Sequence, residues 1–457
     1  MKIVKNLILF LMVMICVYLS SQVWLQLPDF LSLGKKEDKV AVEELDINIW
    51  DVVKPNKYIL KTKDSLKEFY LEDDTVLWEK AIASLETALK NFSESQYNLI
   101  VGEFYPQDYV MLDFENKLPL DIFIGEFGLS KDNIKTKLSY IKKIVIGLNE
   151  NNNIYIYNGD STVIVKSSYI DNSLIYESLK AIDDSNYIEY IQNLEVDGEI
   201  IPIPIPNISS APNPIFVKSE LDIKNTKAIE AIAKEYFQNN FDYVRRSEDI
   251  EGDIIYVYKN EKVLKISSEG ILDFFDSNIN IENHSSIYES LLTALRFAMN
   301  FIKFPDDMYL SEVKGAQQDG SFGYEFVFTY RIKNKPIIFS KVRESAALEV
   351  KVIGNNVISY KRFIRSEQNK ETQNEKILSF QEVLKKQISV ASDEGAANTL
   401  KVIDKSMIKD INNVYLAYFD YARRINEQHL IVVWVVEIKG ELYIFNAITG
   451  SVIEVPN

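Results

Sequence analysis

The chain has 457 residues, of which 47% are hydrophobic and 26% charged, with a formal net charge of −16. That balance excludes a disordered chain, and the acidity argues against nucleic acid or an anionic lipid surface as partner. The only cysteine, Cys16, lies in an apolar stretch, so the rest of the chain has no disulfide, thiol nucleophile or cysteine metal ligand.

Asn6 to Pro28 carry no charged side chain. At about 1.5 Å per residue they make a helix of roughly 35 Å, enough to cross a hydrocarbon core of about 30 Å, and residues 1–28 are expected to be a single transmembrane anchor. A cleaved signal needs small residues one and three places before the cut. Tyr18 or Leu19 would stand at the third place, and bulky Ile15 precedes Cys16, so an uncleaved anchor is expected. Lys2 and Lys5 hold the amino terminus in the cytoplasm and leave the body extracellular; Lys35 and Lys36 weaken the asymmetry, and Trp24 falls at the outer headgroups. Residues 29–50, polar with the run Lys35 to Lys39, read as a tether.

The first helical period runs from Thr75 to Phe92, with Asp74 or Thr75 as cap. Tyr109 to Ile124 changes to alternation and reads as strands around a turn. Lys143 to Leu148, Ile154 to Tyr157 and Thr162 to Lys166, punctuated by Asn and Gly, read as a meander. The run Ile201 to Pro214 holds five prolines, which exclude a central strand or helix and leave a stiff spacer or an edge strand.

After the prolines, one unit recurs three times. Helical patterns at Asn225 to Asn239, Ser286 to Phe301 and Gln373 to Ile388 are each followed by alternating strands, the last group ending with Leu430 to Ile438, Glu441 to Asn446 and Val452 to Val455. The fold class is therefore α+β, with antiparallel sheets and helices packed on them. The expected domains are an N-terminal one at 51–205, a middle one at 216–368 and a C-terminal one at 369–457.

No catalytic constellation accompanies these elements. His284 and His429, the only histidines, are far apart in the chain, and no cofactor or metal site is expected from them. Gly315 to Gly320 has the outer glycines of a phosphate loop but continues Ser321, Phe322, so it reads as a turn. Ser-x-x-Lys occurs at Ser32, Ser139, Ser311 and Ser406 without the companion motifs of penicillin-binding enzymes. Asp73 with Asp74 and Asp306 with Asp307 are acidic pairs that capping explains. An enzyme is not expected.

Four stretches, at three places in the chain, carry a resemblance. Ser20 to Leu25 with Pro28, then YVMLDFENKLPLDIF at Tyr109 to Phe123, resemble the YycH family of anchored extracytoplasmic regulators of the WalK/WalR (YycG/YycF) two-component system of Gram-positive bacteria. LEVKVIGNNVISYKR at Leu348 to Arg362 and YIFNAITG at Tyr443 to Gly450 look like strands that family shares with YycI, and the latter also resembles PepSY-type domains. The resemblance implies a protein without catalysis that pairs with a YycI-like protein and touches a WalK-like sensor histidine kinase through membrane helices, in control of the cell wall. Val13, Cys16 and Ser20, at i, i+3 and i+7 of the span, form a face of small or weakly polar residues suited to such a partner-helix contact, though any span has a few by chance. The competing class is an anchored binding module that captures a wall component or peptide. The 26 Tyr and 24 Phe that could line its pocket are scattered through strands, where core packing also accounts for them.

Overall fold

Apolar alternation builds two large sheets, and helices with a 3.6-residue period cover them. The computed structural model describes residues 47–455 apart from 70–74, 93–95, 131–133, 135–137, 150–151, 181, 183–186, 209–214, 278–284, 306, 319, 341–345, 369–375, 392–402 and 422–427. Residues 47–457 make one compact unit. The expected anchor, with Val13, Cys16 and Ser20, and most of the tether lie outside the described residues. Among the described residues no helix is long and apolar enough to cross a membrane.

In chain order the first part contains β1 (Lys57–Lys61), β2 (Leu66–Phe69), α1 (Thr75–Lys90), β3 (Gln96–Val101), β4 (Tyr109–Pro119), α2 (Leu120–Glu126), β5 (Tyr140–Gly147), β6 (Asn153–Tyr157), β7 (Ser161–Lys166), α3 (Ser173–Lys180) and β8 (Tyr187–Ile191). The small hairpin of β9 (Glu195–Val196) and β10 (Glu199–Ile200) and then β11 (Ile205–Pro206) follow. Nine strands pair in the order β11-β8-β2-β1-β4-β5-β6-β7-β3. One face buries Val110, Leu112, Ile144, Ile156 and Val163 in the same core as Trp78, Leu85 and Leu89 of α1. The other carries a small cluster of Met111, Val145 and Tyr155. Within the proline run, Ile205 and Pro206 pair with Ile191 and Tyr190 at the sheet edge, where a missing N–H is tolerated.

Two expectations change here. Leu120 to Ile124 is helix rather than strand. Pro119 (φ −58°, ψ 130°) ends β4 at the helix N-cap, and the consecutive Ile122, Phe123 and Ile124 are all buried, which a helix packed on several sides allows and a half-exposed strand does not. The end of the expected tether is core: Ile49 is buried, and the Trp50 ring lies 5.9 Å from Trp78, 5.7 Å from Phe123 and 5.4 Å from Phe127.

The second part runs β12 (Ile215–Ser219), α4 (Thr226–Phe237), β13 (Arg245–Glu248), β14 (Ile254–Tyr258), β15 (Lys262–Ile266), β16 (Leu272–Asp276), α5 (Ile287–Met299), β17 (Met308–Gln318), β18 (Ser321–Ile332), β19 (Lys335–Phe339), β20 (Leu348–Ile353), β21 (Asn356–Arg362) and β22 (Arg365–Gln368). It ends with α6 (Phe380–Ala391), β23 (Ile411–Asp420), β24 (Gln428–Ile438), β25 (Glu441–Asn446) and β26 (Val452–Glu454). These fifteen strands form one sheet whose main path is β13-β14-β15-β16-β21-β20-β18-β19-β23-β24-β12-β22. The expected antiparallel pairing is interrupted once, where β19 runs parallel to β23 through Ile337↔Tyr418 and Phe339↔Asp420. Beside that join, Arg365 Nε and Asp420 lie 3.1 Å apart with side chains only 1% exposed. Losing one partner of such a buried pair costs about 3–5 kcal/mol.

Helix α5 ties the sheets together. Ser286 caps it in a full capping box with Glu289, and Leu291, Ala294, Leu295 and Ala298 are buried. Each leucine contributes roughly 1.5–3 kcal/mol of burial. Tyr288 presses on Gly125 of α2, where an added Cβ would stand 2.4 Å from the Tyr288 Cγ, and its hydroxyl donates to Glu126 at 2.9 Å. Gly125→Ala is therefore expected to destabilise by about 1–3 kcal/mol in urea titration, with part of the loss restored by Tyr288→Ala because the clash is shared. Additive effects would place the strain elsewhere.

Candidate functional site

Three antiparallel ladders slip register around one cleft between the two sheets. The β4–β5 ladder slips between Asp113 and Leu118, β17–β18 between Leu310 and Glu312, and β23–β24 between Ile411 and Asn413. Bulges re-aim side chains and interrupt pairing, and Glu115, Asn116, Tyr309, Asn412 and Asn413, in or beside them, line a common space of about 780 Å³. Ile59, Ile188, Ile203, Ile337 and Leu442 supply its apolar walls.

The β4 bulge is held open by its neighbours. Lys142 Nζ donates to the Phe114 and Glu115 carbonyls and lies 3.2 Å from Asp113, while Asn116 Nδ2 donates to the Ser311 carbonyl at 3.2 Å. Carbonyls freed from the ladder are thereby satisfied. Opposite the bulge, Tyr309 donates its hydroxyl to Glu115 Oε2 at 2.8 Å. The cleft walls desolvate the Glu115 carboxyl and hold its pKa above the ordinary value, against the hydrogen bond from Tyr309 and the charges of Lys142 and Arg331.

Arg331, on β18, pins the sheets at the rim. Its Nε and Nη2 each stand 2.7 Å from an Asp307 oxygen, its Nη1 donates to the Asn56 carbonyl before β1, and its guanidinium lies over the Tyr309 ring at 5.0 Å. A planar fork suits those three demands at once. Lys54 adds a 3.3 Å contact to Asp307; burial lowers its pKa, and Asp307 works against that shift. Deeper in, Tyr190 donates to Glu68, burial lowers the Lys335 pKa, and the Lys57 ammonium lies 5.0 Å from the Tyr415 ring centroid. Lys143 bonds Glu103 at 2.8 Å, and there Asp113 and Glu103 outweigh burial and raise the lysine pKa. The cleft is thus polar and internally neutralised, a surface suited to a ligand carrying both donors and acceptors.

Of the residues singled out by sequence, Asp307 and Ser311 meet the cleft through Arg331 and Asn116. His429 stacks on Phe216 at 5.3 Å, and His284, Asp73, Asp74 and Asp306 lie outside the described residues. Gly315 to Gly320 is the end of the β17–β18 hairpin, with Gly320 at φ +82°. Asp307, read as a cap, is instead the partner of Arg331. Among the described residues, no group of three or more His, Cys, Asp or Glu is placed to hold a metal. Glu115, Tyr309, Arg331 and Lys335 had no sequence signal beyond their strands, because their partners are remote in the chain.

Residues 2–185 match the family model described as YycH protein, N-terminal domain. The first 185 residues thus carry a YycH N-terminal domain. The crystal structure of YycH from Bacillus subtilis is similar at a TM-score of 0.50 and 15% identity, over 87% of this chain and 96% of that one, so the chain shares its fold. An uncharacterized protein from Eubacterium rectale aligns at a TM-score of 0.33 and 15% identity, over 58% of this chain and 94% of that one. The Bacillus megaterium YpeB C-terminal domain aligns at 0.26 and 13%, over 52% and 100%. No curated protein matches the sequence.

Two outcomes are expected at the cleft. Arg331→Lys should lower stability by about 2 kcal/mol in urea titration, since an ammonium cannot serve Asp307 and Asn56 together. Glu115 has its folded pKa raised, so its charged form costs stability above that pKa and the cost is relieved as the pH falls through it. Relative to Glu115→Gln, the unmodified chain should therefore gain stability on acidification from neutral toward the ordinary carboxylate range. A difference that does not vary with pH would show that the carboxyl is not desolvated.

Proposed function

We propose that this chain is a non-catalytic, membrane-anchored regulator of a cell-wall-related two-component system. Its body lies outside the cytoplasm, and it modulates a WalK-like sensor histidine kinase through its N-terminal span, together with a YycI-like partner. The match to the YycH N-terminal domain from residue 2 carries this reading, because it takes in the uncharged stretch Asn6 to Pro28 as well as seven of the nine strands of the first sheet. Helices in lipid associate by close packing, and Val13, Cys16 and Ser20 are the face assigned to that contact. A coupling of about 1–3 kcal/mol is enough to shift a kinase equilibrium several-fold.

The cleft favours a second role for the body as a sensor. Its polar groups are set by bulges in three ladders and its volume suits a small molecule or a short peptide stretch. The two roles are compatible, with the body binding and the span reporting.

Replacing the span by an unrelated apolar one should abolish kinase control while the body still folds and remains anchored. Cys16→Leu with Ser20→Leu should reduce association with the kinase without loss of membrane insertion. Unchanged reporter output with a foreign span would move the regulatory contact to the body.

A further inference from the structure

We infer that β3 is the seam along which two copies of this chain pair, edge to edge and antiparallel, about a two-fold axis. β3 ends the nine-stranded sheet; it pairs with β7 from Gln96↔Lys166 to Val101↔Ser161, and no described strand lies on its other side. An unpaired edge offers a row of backbone donors and acceptors to any strand that reaches it. The side chains along this edge are apolar and exposed: Tyr97 is 42%, Leu99 54% and Val101 90% exposed, with Phe104 at 46% just beyond.

The opposite treatment is seen at β13, one end of the long sheet, which carries Arg245, Arg246 and Glu248, all exposed. Charges of that kind guard an edge against pairing. From Gln96 to Gly102 there is none, in a chain 26% charged. Among the described residues β3 is therefore an edge left open to a strand as uncharged as itself.

A second copy of β3 meets that requirement. With Leu99 on the two-fold axis, Leu99 faces Leu99, Tyr97 faces Val101, and Asn98 faces Ile100, so no charge opposes a like charge and the apolar positions form one ladder. The strand is pre-set for this: Tyr97 stacks on Phe92 at 5.0 Å, and at the far end Gly102 (φ +84°) turns the chain away with its N–H bonded to the Asp160 carbonyl at 2.9 Å. One strand pair with a few apolar side chains falls below the roughly 1,200 Å² of stable complexes, so the pairing is weak and depends on concentration.

Site-directed crosslinking of the full chain tests this. With Cys16→Ala as background, Leu99→Cys places two thiols across the axis, within the 7 Å or so that a disulfide spans. Mild oxidation in membranes should give a species of twice the chain mass, several-fold faster than Tyr169→Cys, a site 61% exposed elsewhere on the body. In detergent, Leu99→Lys with Val101→Lys should shift sedimentation toward monomer with the thermal midpoint unchanged, since both side chains are exposed. Equal crosslinking at the two cysteines, a product of any other mass, or sedimentation indifferent to the lysines would each overturn the inference.

Discussion

At the rim of the cleft the two sheets are joined by a single guanidinium. Arg331 leaves β18 of the long sheet, forks onto Asp307 at the start of β17, reaches the Asn56 carbonyl at the start of the first sheet, and covers Tyr309. Five donors in one plane make this possible, and no other side chain offers them. Tyr309, so held, donates to Glu115 across the cleft. The site's geometry is therefore a consequence of where one arginine can be satisfied.

A dry interface of comparable size could be filled with leucine and isoleucine. Here the chain accepts the desolvation of Glu115, Lys335 and Lys54, each with its pKa displaced by burial toward the neutral form. Apolar residues of similar volume would be as stable or more so, which leaves stability a weak explanation for these groups. Bulges in three ladders at the same cleft point the same way, because each interrupts strand pairing without filling space.

Periodicity made much of the fold legible in the sequence. α1, α4 and α5 follow their apolar spacing closely, and β5 to β7 follow theirs between Asn and Gly turns. Strands without an apolar pattern were not legible: β13 reads RRSE and is exposed throughout, and β22 reads RSEQ with only Arg365 buried, and both are paired edge elements held by backbone bonds. Nor could spacing reveal that β12 lies between β24 and β22, or that Glu115 meets Tyr309, since such contacts join segments remote in sequence. Trp50 was hidden for another reason, because a lone aromatic beside a polar run has no period to betray its burial among Trp78, Phe123 and Phe127. Of the cleft, the sequence showed only the residues and not their meeting.

The stretch that leads out of residues 1–46 is also a wall of the cleft. Trp50 is wedged among aromatic rings, the Val52 carbonyl accepts from the Leu310 N–H at 2.7 Å, Lys54 contacts Asp307, Asn56 accepts from Arg331, and Lys57 lies against Tyr415. Packed interfaces shift between discrete arrangements rather than deforming smoothly. The two sheets cannot move apart at the cleft while residues 50–57 keep all of these contacts. A shift of the two sheets at the cleft would thus have to rearrange residues 50–57, whose hydrogen bonds and packing span it.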